Sequence, residues 1–252
     1  TNIFSKYFKI EKDDKKRKLY YCQEFENNME IKHKPTVVPY DNYKKPFTKI
    51  TFIPDYKRFE MEGLTDDIIN YVRKRTIDMA ACSNGKIIVD FNNITYNISN
   101  FEDYMHLYIN NIEEKKFTFK ANDRWTIGIS NSQTFNFQQV SFVNGIHTNR
   151  GGRHVDYISD QICNKIIEYI SKKKKIVVKK NIIKENLLVF VNATIVNPSF
   201  DSQTKETLTT QRSKFGSDCV IDNKVIEQFA NTGIMDRAIQ LSIFRDKQLL
   251  SK

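Results

Sequence analysis

Residues 203–205 read Gln-Thr-Lys and are the first candidates for chemistry in this chain. They lie in a polar stretch, NPSFDSQTKETLTTQ at residues 197–211, which follows the apolar run LLVFVNATIV. Loops at the ends of buried strands commonly carry functional side chains. The ammonium group of Lys205, beside the amide of Gln203 and the hydroxyl of Thr204, suits phosphate oxygens better than it suits a proton transfer. The stretch therefore indicates an anion site, and the alternative is a solvated loop without a ligand.

A second candidate is the stretch TNRGGRHVDY at residues 148–157, where paired glycines precede a predicted helix. Such a turn can bring backbone N–H groups to an anion, and His154 is a possible base. The glycine spacing fits neither the P-loop nor the dinucleotide-binding fingerprint, and no second acid is placed by spacing. The alternative is a structural strand-to-helix turn with a hydrogen-bonded histidine.

Basic clusters form a third group of candidates. Lys172, Lys173 and Lys174 belong to a run of lysines at residues 172–175 that closes a predicted helix. Such clusters bind nucleic acid through counterion release, although a solvated helix end of positive charge is the plainer interpretation. The KKRK cluster at residues 15–18 is a weaker signal at a predicted hairpin tip. Thr48, in the predicted strand FTKITF, either binds a ligand or simply faces a paired strand.

Composition limits the classes of function. The 252 residues carry a net charge of +10, which favours polyanionic partners. The four cysteines are scattered without a C-x-x-C pair, so we expect a reducing compartment and no metal site. No apolar run approaches the roughly 18 to 20 residues of a membrane helix, so no membrane partner is expected.

The elements of the first hundred residues are predicted from alternation and turn signals. KYFKIEK and KLYYCQEF flank the charged turn DDKKRK as a hairpin, and FTKITFIPD is a further strand. The segment LTDDIINYVRKRTIDMAA is predicted to be a helix capped by Thr65, with Leu64, Ile68 and Val72 in one apolar stripe. Two short strands should follow, around the Asn92-Asn93 turn.

The remaining residues predict a second layer. A short helix near Phe101 precedes the strands RWTIGIS and FNFQQVSFVNGI. The glycine turn leads into a long helix, whose predicted buried face contains Val155, Ile158, Ile162, Ile166 and Tyr169. The strand NLLVFVNATIV comes next, and a helical pattern from about residue 222 is broken near Gly233. We therefore predict an α/β fold (α+β, two layers) joined near residue 100.

Two long motifs, in their order along the chain, carry a family resemblance. FQQVSFVNGIHTNRGGRHVDYISDQI followed by FVNATIVNPSFDSQTKETLT resembles the transducer region of type II DNA topoisomerases of the eukaryotic kind. Upstream, TNIFS and TKITFIPDYKRFEMEGLTDDI resemble segments of the ATPase domain of that family. The resemblance implies that residues 1–100 are the C-terminal half of a GHKL ATPase sandwich. It also implies that residues 101–252 are a transducer domain with a left-handed βαβ crossover and a C-terminal helix.

The resemblance also implies a function and its residues. ATP would be the cofactor, with Gln203, Thr204 and Lys205 reaching its terminal phosphate and Thr48 lying near the adenine. Lys172, Lys173 and Lys174 would face a passing DNA duplex. The full-length enzyme would be a nuclear, homodimeric, ATP-dependent isomerase that closes a gate and passes one duplex through another.

The family's catalytic glutamate, its Mg²⁺ ligand and its glycine lid would precede Thr1, and its DNA-cleaving tyrosine would follow Lys252. We therefore expect no catalytic and no metal-binding residue in this chain, no activity of the chain alone, and a half-sheet with an exposed edge and apolar face. Two alternatives remain open at this point. One is a passive basic DNA-binding module, and the other is a GHKL relative of the mismatch-repair or chaperone type.

Overall fold

The computed structural model describes residues 1–39, 45–83, 85–109, 116–230 and 233–250. They pack as two compact units, Thr1–Asn70 and Tyr71–Lys252. These two units are defined by the contacts within each of them, and they are not the two domains of the family resemblance. The domain division at residue 100 that the family resemblance implies stays a prediction.

The first unit is an antiparallel sheet. Its strands are β1 (Ser5–Asp14), β2 (Leu19–Glu26), β3 (Ile31–Lys32), β4 (Thr36–Pro39) and β5 (Thr48–Pro54), with short 3-10 turns at Asn2–Phe4 and Tyr56–Phe59. The predicted hairpin is confirmed, because β1 and β2 pair antiparallel around the charged turn. Within the described residues, β5 pairs with β1 alone and forms an edge of the sheet.

The two faces of this sheet differ in character. On one face, Glu11 receives a hydrogen bond from the Tyr20 hydroxyl at 2.9 Å and lies 3.5 Å from the Lys9 ammonium. On the other face Ile50 and Phe52 are apolar, yet they keep 55% and 48% of their surface in contact with solvent. The predicted exposed edge and apolar face are therefore both present in this unit.

Helix α1 (Asp66–Ser83) begins where the sequence predicts. The Thr65 hydroxyl oxygen accepts a hydrogen bond from the Ile68 N–H at 3.4 Å, which satisfies one free donor of the first turn. The predicted apolar stripe is not buried in this chain, because Leu64 and Val72 are exposed. The buried residues of this helix are Asp78, Ala80 and Ala81.

Most elements belong to the second unit. In chain order they are β6 (Val89–Phe91), β7 (Ile94–Tyr96), α2 (Phe101–Met105), β8 (Phe117–Asn122), β9 (Trp125–Asn131), β10 (Gln138–Val143), β11 (Ile146–His147), α3 (Arg153–Lys174), α4 (Lys180–Glu185), β12 (Leu187–Ala193), a 3-10 turn (Arg212–Lys214), α5 (Asn223–Ala230) and α6 (Ile234–Leu250). Every predicted element is present. Strand β8 and helix α4 were not predicted, and the segment FNFQQVSFVNGI, predicted as one strand, contains β10 and turns back into β11.

The main sheet of this unit has the order β11-β10-β12-β9-β8. Strands β10 and β12 are parallel, whereas β9 runs antiparallel to β12. The chain between the parallel strands contains α3 and α4, so the predicted βαβ crossover is present, and its handedness stays a prediction. Both sheet faces are covered, as a strand buried on both faces requires.

Alternate residues of β12 pack into two separate cores. Val189 and Val191 join the apolar side chains of α3 on one face, and Leu188 and Phe190 join the aromatic residues of α2 on the other. The predicted buried face of α3 is confirmed, since Val155, Ile158, Ile162 and Ile166 are buried and Tyr169 packs against this core. The sheet and α3 therefore form a rigid body around the loops at its edge.

His154, in the first turn of α3, is fully buried. Its Nε2 lies 3.2 Å from the Thr148 hydroxyl oxygen, and that hydroxyl lies 2.6 Å from the hydroxyl of Ser141 on β10. Burial lowers the pKa of His154 to about 3. A buried, neutral ring held by a hydroxyl is a structural group, which supports the structural alternative for this histidine.

We expect the stability of the chain to depend on pH through His154. In the unfolded chain its pKa is about 6.5, so below that pH unfolding takes up a proton and the unfolding free energy falls as pH drops towards 3. The slope from this residue approaches about 1.4 kcal/mol per pH unit. Urea unfolding between pH 7 and 5 should show a weaker dependence in His154→Gln. The matched control is His106→Gln, at an exposed ring, and equal slopes in both variants would contradict the assignment.

Candidate functional site

The Gln-Thr-Lys sequence forms an exposed turn in the loop that follows β12. The Lys205 N–H donates to the Ser202 carbonyl at 3.1 Å, and the hydroxyl oxygens of Ser202 and Thr204 lie 2.7 Å apart. Lys205 has a φ of +60°, which ends the turn in a left-handed conformation. Gln203 and Thr204 consequently face solvent, and Lys205 is half-buried.

Asp201 closes the base of this turn. Its Oδ1 accepts a hydrogen bond from the Thr207 N–H at 3.1 Å, and its own N–H donates to the Thr207 carbonyl at 3.2 Å. The hydrogen bond from the Thr207 side chain is the largest cause that holds the pKa of Asp201 below its usual range. The carboxylate therefore serves as a fixed acceptor within the loop.

The side chain of Lys205 lies against an aromatic ring. Its Nζ is 5.9 Å from the centroid of the Phe200 ring, within the range of a cation–π contact. The ion pairs of the described residues do not include Lys205. The turn therefore offers a positive charge, an amide and a hydroxyl, the donor set that suits phosphate oxygens.

The second sequence motif lies directly beside this loop. The Leu208 N–H donates to the Gly151 carbonyl at 3.0 Å, and the Arg153 N–H donates to the Leu208 carbonyl at 3.0 Å. The Arg150 N–H donates to the Glu206 carbonyl at 3.1 Å. Residues 148–152, called here the glycine turn, are thus paired with residues 206–208 through the backbone.

Gly152 is required by this pairing. Its φ is +124°, and a Cβ at this position would lie 2.4 Å from the Leu208 carbonyl oxygen and 2.5 Å from the Leu208 nitrogen. Both are backbone atoms that cannot move aside without breaking the pairing. Glycine is the residue that allows this approach.

The hydrogen bonds of the glycine turn support the structural alternative for this motif. The Gly151 N–H donates to the Thr148 carbonyl at 2.9 Å, and the Arg153 N–H is taken by Leu208. Donors that already bond to protein carbonyls are not available to a ligand. The turn instead supports the neighbouring loop.

One ion pair joins the two segments through side chains. The Arg150 Nε lies 2.9 Å from the Glu206 Oε2. Arg150 keeps 71% of its side-chain surface exposed and Glu206 keeps 30%. Neither residue was a sequence-predicted site residue, and the signal for them was their presence in the two motifs.

The lysine run lies at the opposite end of α3. Lys172, Lys173 and Lys174 form its last turn, and Lys175 ends the helix with a φ of +56°. All four side chains are exposed, and none of the ion pairs in the described part of the chain includes them. By contrast Lys180, shortly after, lies 2.7 Å from Asp160. The run is a concentrated positive surface.

Thr48 is placed in the first unit. It is the first residue of β5, pairs with Lys12 of β1 and is exposed. Strand alternation puts it on the same apolar face as Ile50 and Phe52. Gln203, Thr204 and Lys205 share one turn, the lysine run belongs to the same unit, and Thr48 lies in the other unit.

Clusters of metal-binding side chains and membrane-spanning helices are both absent from the described residues. No group of three or more His, Cys, Asp or Glu residues is arranged to hold a metal ion. No helix in the described ranges has the length and apolar character to span a membrane.

Comparisons with known proteins agree on one family. The model of the DNA gyrase B family matches residues 94–252. DNA topoisomerase 2 of Arabidopsis thaliana is 42% identical over 260 aligned positions, which cover 100% of this chain and 18% of that protein. The chain therefore spans less than a fifth of the length of such relatives.

Solved structures agree with the fold. The ATPase and transducer domains of DNA topoisomerase II from Balamuthia mandrillaris superpose with a TM-score of 0.87 at 39% identity, covering 98% of this chain and 63% of that one. The ATPase region of Saccharomyces cerevisiae topoisomerase II gives a TM-score of 0.83 at 40% identity, covering 96% and 62%. The chain belongs to the DNA gyrase B family, and its likeness is to the ATPase region of eukaryotic-type DNA topoisomerase II.

Proposed function

We propose that this chain is the ATP-sensing segment of a type II DNA topoisomerase, in which ATP binding and hydrolysis close a dimer gate and drive one DNA duplex through another. The observation that carries the proposal is the exposed Gln203-Thr204-Lys205 turn, built on a rigid sheet and joined by its backbone to the start of α3. A loop of this kind has two states, with and without a terminal phosphate, and such a two-state element couples a ligand to a conformational change.

In this proposal the residues of the turn have separate roles. Lys205 neutralises charge on the terminal phosphate, Gln203 orients the phosphate oxygens, and Thr204 shapes the turn through its contact with Ser202. ATP fits this donor set. Mg²⁺ would be bound by residues outside the chain, as the family resemblance implies.

The remaining partners follow from charge and exposed surface. The exposed Lys172, Lys173 and Lys174 would face the passing duplex, in a chain whose net charge is +10. The apolar face of the first sheet would be covered by the other half of the ATPase domain, with Thr48 on that face near the adenine. The full-length enzyme would act as a homodimer in the nucleus.

Lys205→Ala in the full-length protein should lower ATP turnover. Loss of a charge-assisted contact of about 1.5–3 kcal/mol corresponds to roughly a ten- to hundredfold decrease. Light scattering with a non-hydrolysable ATP analogue should show that nucleotide-dependent dimerisation is lost as well. The control is Lys214→Ala, an exposed lysine in the same unit. Normal turnover and dimerisation in Lys205→Ala would contradict the proposal and leave a passive DNA-binding module.

Replacing Lys172, Lys173 and Lys174 by alanine should weaken duplex DNA binding and flatten its salt dependence. Each phosphate contact contributes about 0.9 to the slope of log affinity against log salt, so the triple variant should lose about 3. The matched control replaces Lys15, Lys16 and Lys18, which removes the same charge from the exposed β1–β2 turn. Equal slopes in the two variants would refute a specific role for the run and indicate binding by net charge.

Thr48→Val keeps the shape of the side chain and removes its hydroxyl. Loss of one neutral hydrogen bond of about 0.5–1.5 kcal/mol should raise the KM for ATP of the full-length protein roughly two- to tenfold. Thr51→Val is the control, because Thr51 lies on the opposite face of β5. An equal change in both variants would argue against a contact between Thr48 and the nucleotide.

A further inference from the structure

We propose that Arg150, Glu206 and Gly152 are positioning residues, which hold the Lys205 turn in the geometry that meets the terminal phosphate. This inference rests on the proposed function of that turn. None of the three residues belongs to the exposed donor set. They act through the backbone of residues 206–208, which follow Lys205 directly.

The Lys205 turn has few contacts of its own with the rest of the protein. Ser202, Gln203 and Thr204 are exposed, and the hydrogen bonds of the turn are local ones. They run from Lys205 to Ser202, between two hydroxyls, and between Asp201 and Thr207 at the base of the turn. Such local bonds shape the turn but do not set its place on the protein. The position of the turn on the protein depends on the backbone segments that precede and follow it.

The segment that follows the turn, residues 206–208, is held by the glycine turn. Glu206 and Leu208 each bond to the glycine turn, and Leu208 is buried in the main core. The glycine turn is in turn fixed to β10, because the Gln139 amide donates to the Asn149 carbonyl at 2.8 Å and the Thr148 N–H donates to the Ser141 carbonyl at 2.8 Å. The chain of contacts runs from the sheet to the glycine turn and then to the residues beside Lys205.

The Arg150–Glu206 ion pair has different effects on the position of the turn and on the stability of the fold. Arg150 is mostly exposed, and exposed ion pairs contribute only about 0–1 kcal/mol to folding. The Arg150–Glu206 pair nevertheless joins the glycine turn to the residue next to Lys205, and a displacement of about 1 Å in a catalytic constellation can cost about a hundredfold in rate. We therefore expect this pair to affect activity far more than folding.

The test is a charge swap in the full-length protein. Arg150→Glu and Glu206→Arg should each lower kcat for ATP by about tenfold or more. Their melting temperatures should change by no more than about 4 °C. The double variant Arg150→Glu/Glu206→Arg restores an opposite-charge pair and should recover kcat to within about threefold of the parent. The control is Asp123→Ala, which removes a different exposed ion pair, with Lys120.

The outcomes are separable. Single variants with the kcat of the parent overturn the inference, and so does a double variant that stays as slow as the singles. Losses of kcat that match losses of melting temperature also overturn it, because they indicate a structural role. If Lys205→Ala lowers turnover in parallel while the pair variants do not, the proposed function stands and only the positioning role fails. If Lys205→Ala itself is without effect, both fail.

A second pair of variants tests the backbone contact. Gly152→Ala places a methyl group 2.4 Å from the Leu208 carbonyl oxygen and should lower kcat by about tenfold or more. Gly145→Ala, at a φ of +77° with nothing within 4 Å of the added carbon, has backbone strain without the clash and should keep its turnover. Equal turnover in the two variants would overturn the role given to Gly152.

Discussion

The close approach of Gly152 to the backbone of Leu208 is the contact on which the placement of the Lys205 turn depends. A Cβ at residue 152 would lie 2.4 Å from a carbonyl oxygen, so the two backbones meet only because one of them has no side chain. This approach lets Arg153 and Leu208 form hydrogen bonds that join a helix start to a loop. The sheet, the first turn of α3 and the Lys205 turn become one connected structure as a result.

A buried polar chain anchors the other side of the same structure. The Ser141 hydroxyl, the Thr148 hydroxyl and the His154 ring follow one another inside the core at hydrogen-bond distances. Hydrogen bonds in a buried chain of this kind strengthen one another and help to specify one arrangement of the elements they join. The first turn of α3 is therefore fixed towards the sheet by side chains and towards the loop by backbone.

Local sequence patterns predicted the elements well and their contacts poorly. The β1–β2 hairpin and the buried face of α3 could be predicted because alternation and helical spacing are visible in the residues themselves. Helix α4 is nearly as short as α2, but it has no side-chain cap and no acidic residue in its first turn, so its start leaves no signal in the sequence. The chemistry of Gln203, Thr204 and Lys205 could be predicted from their side chains, and their role stays a prediction.

The pairing of Gly152 with Leu208, and of Arg150 with Glu206, joins segments far apart in the chain, and no local pattern contains that information. The exposure of Leu64 and Val72 could not be predicted either, because periodicity shows an apolar face without showing what covers it.

The length of α3 has a mechanical consequence. Its 22 residues make a helix about 33 Å long. The first turn of the helix is hydrogen-bonded to the loop beside Lys205, and its last turn carries the exposed lysines. Because α3 and the sheet form one rigid body, a rotation of that body by about 5° about the glycine turn moves the far end of the helix by about 3 Å. A rearrangement too small to change the packing at the glycine turn would thus shift the positive surface by roughly the width of a phosphate group.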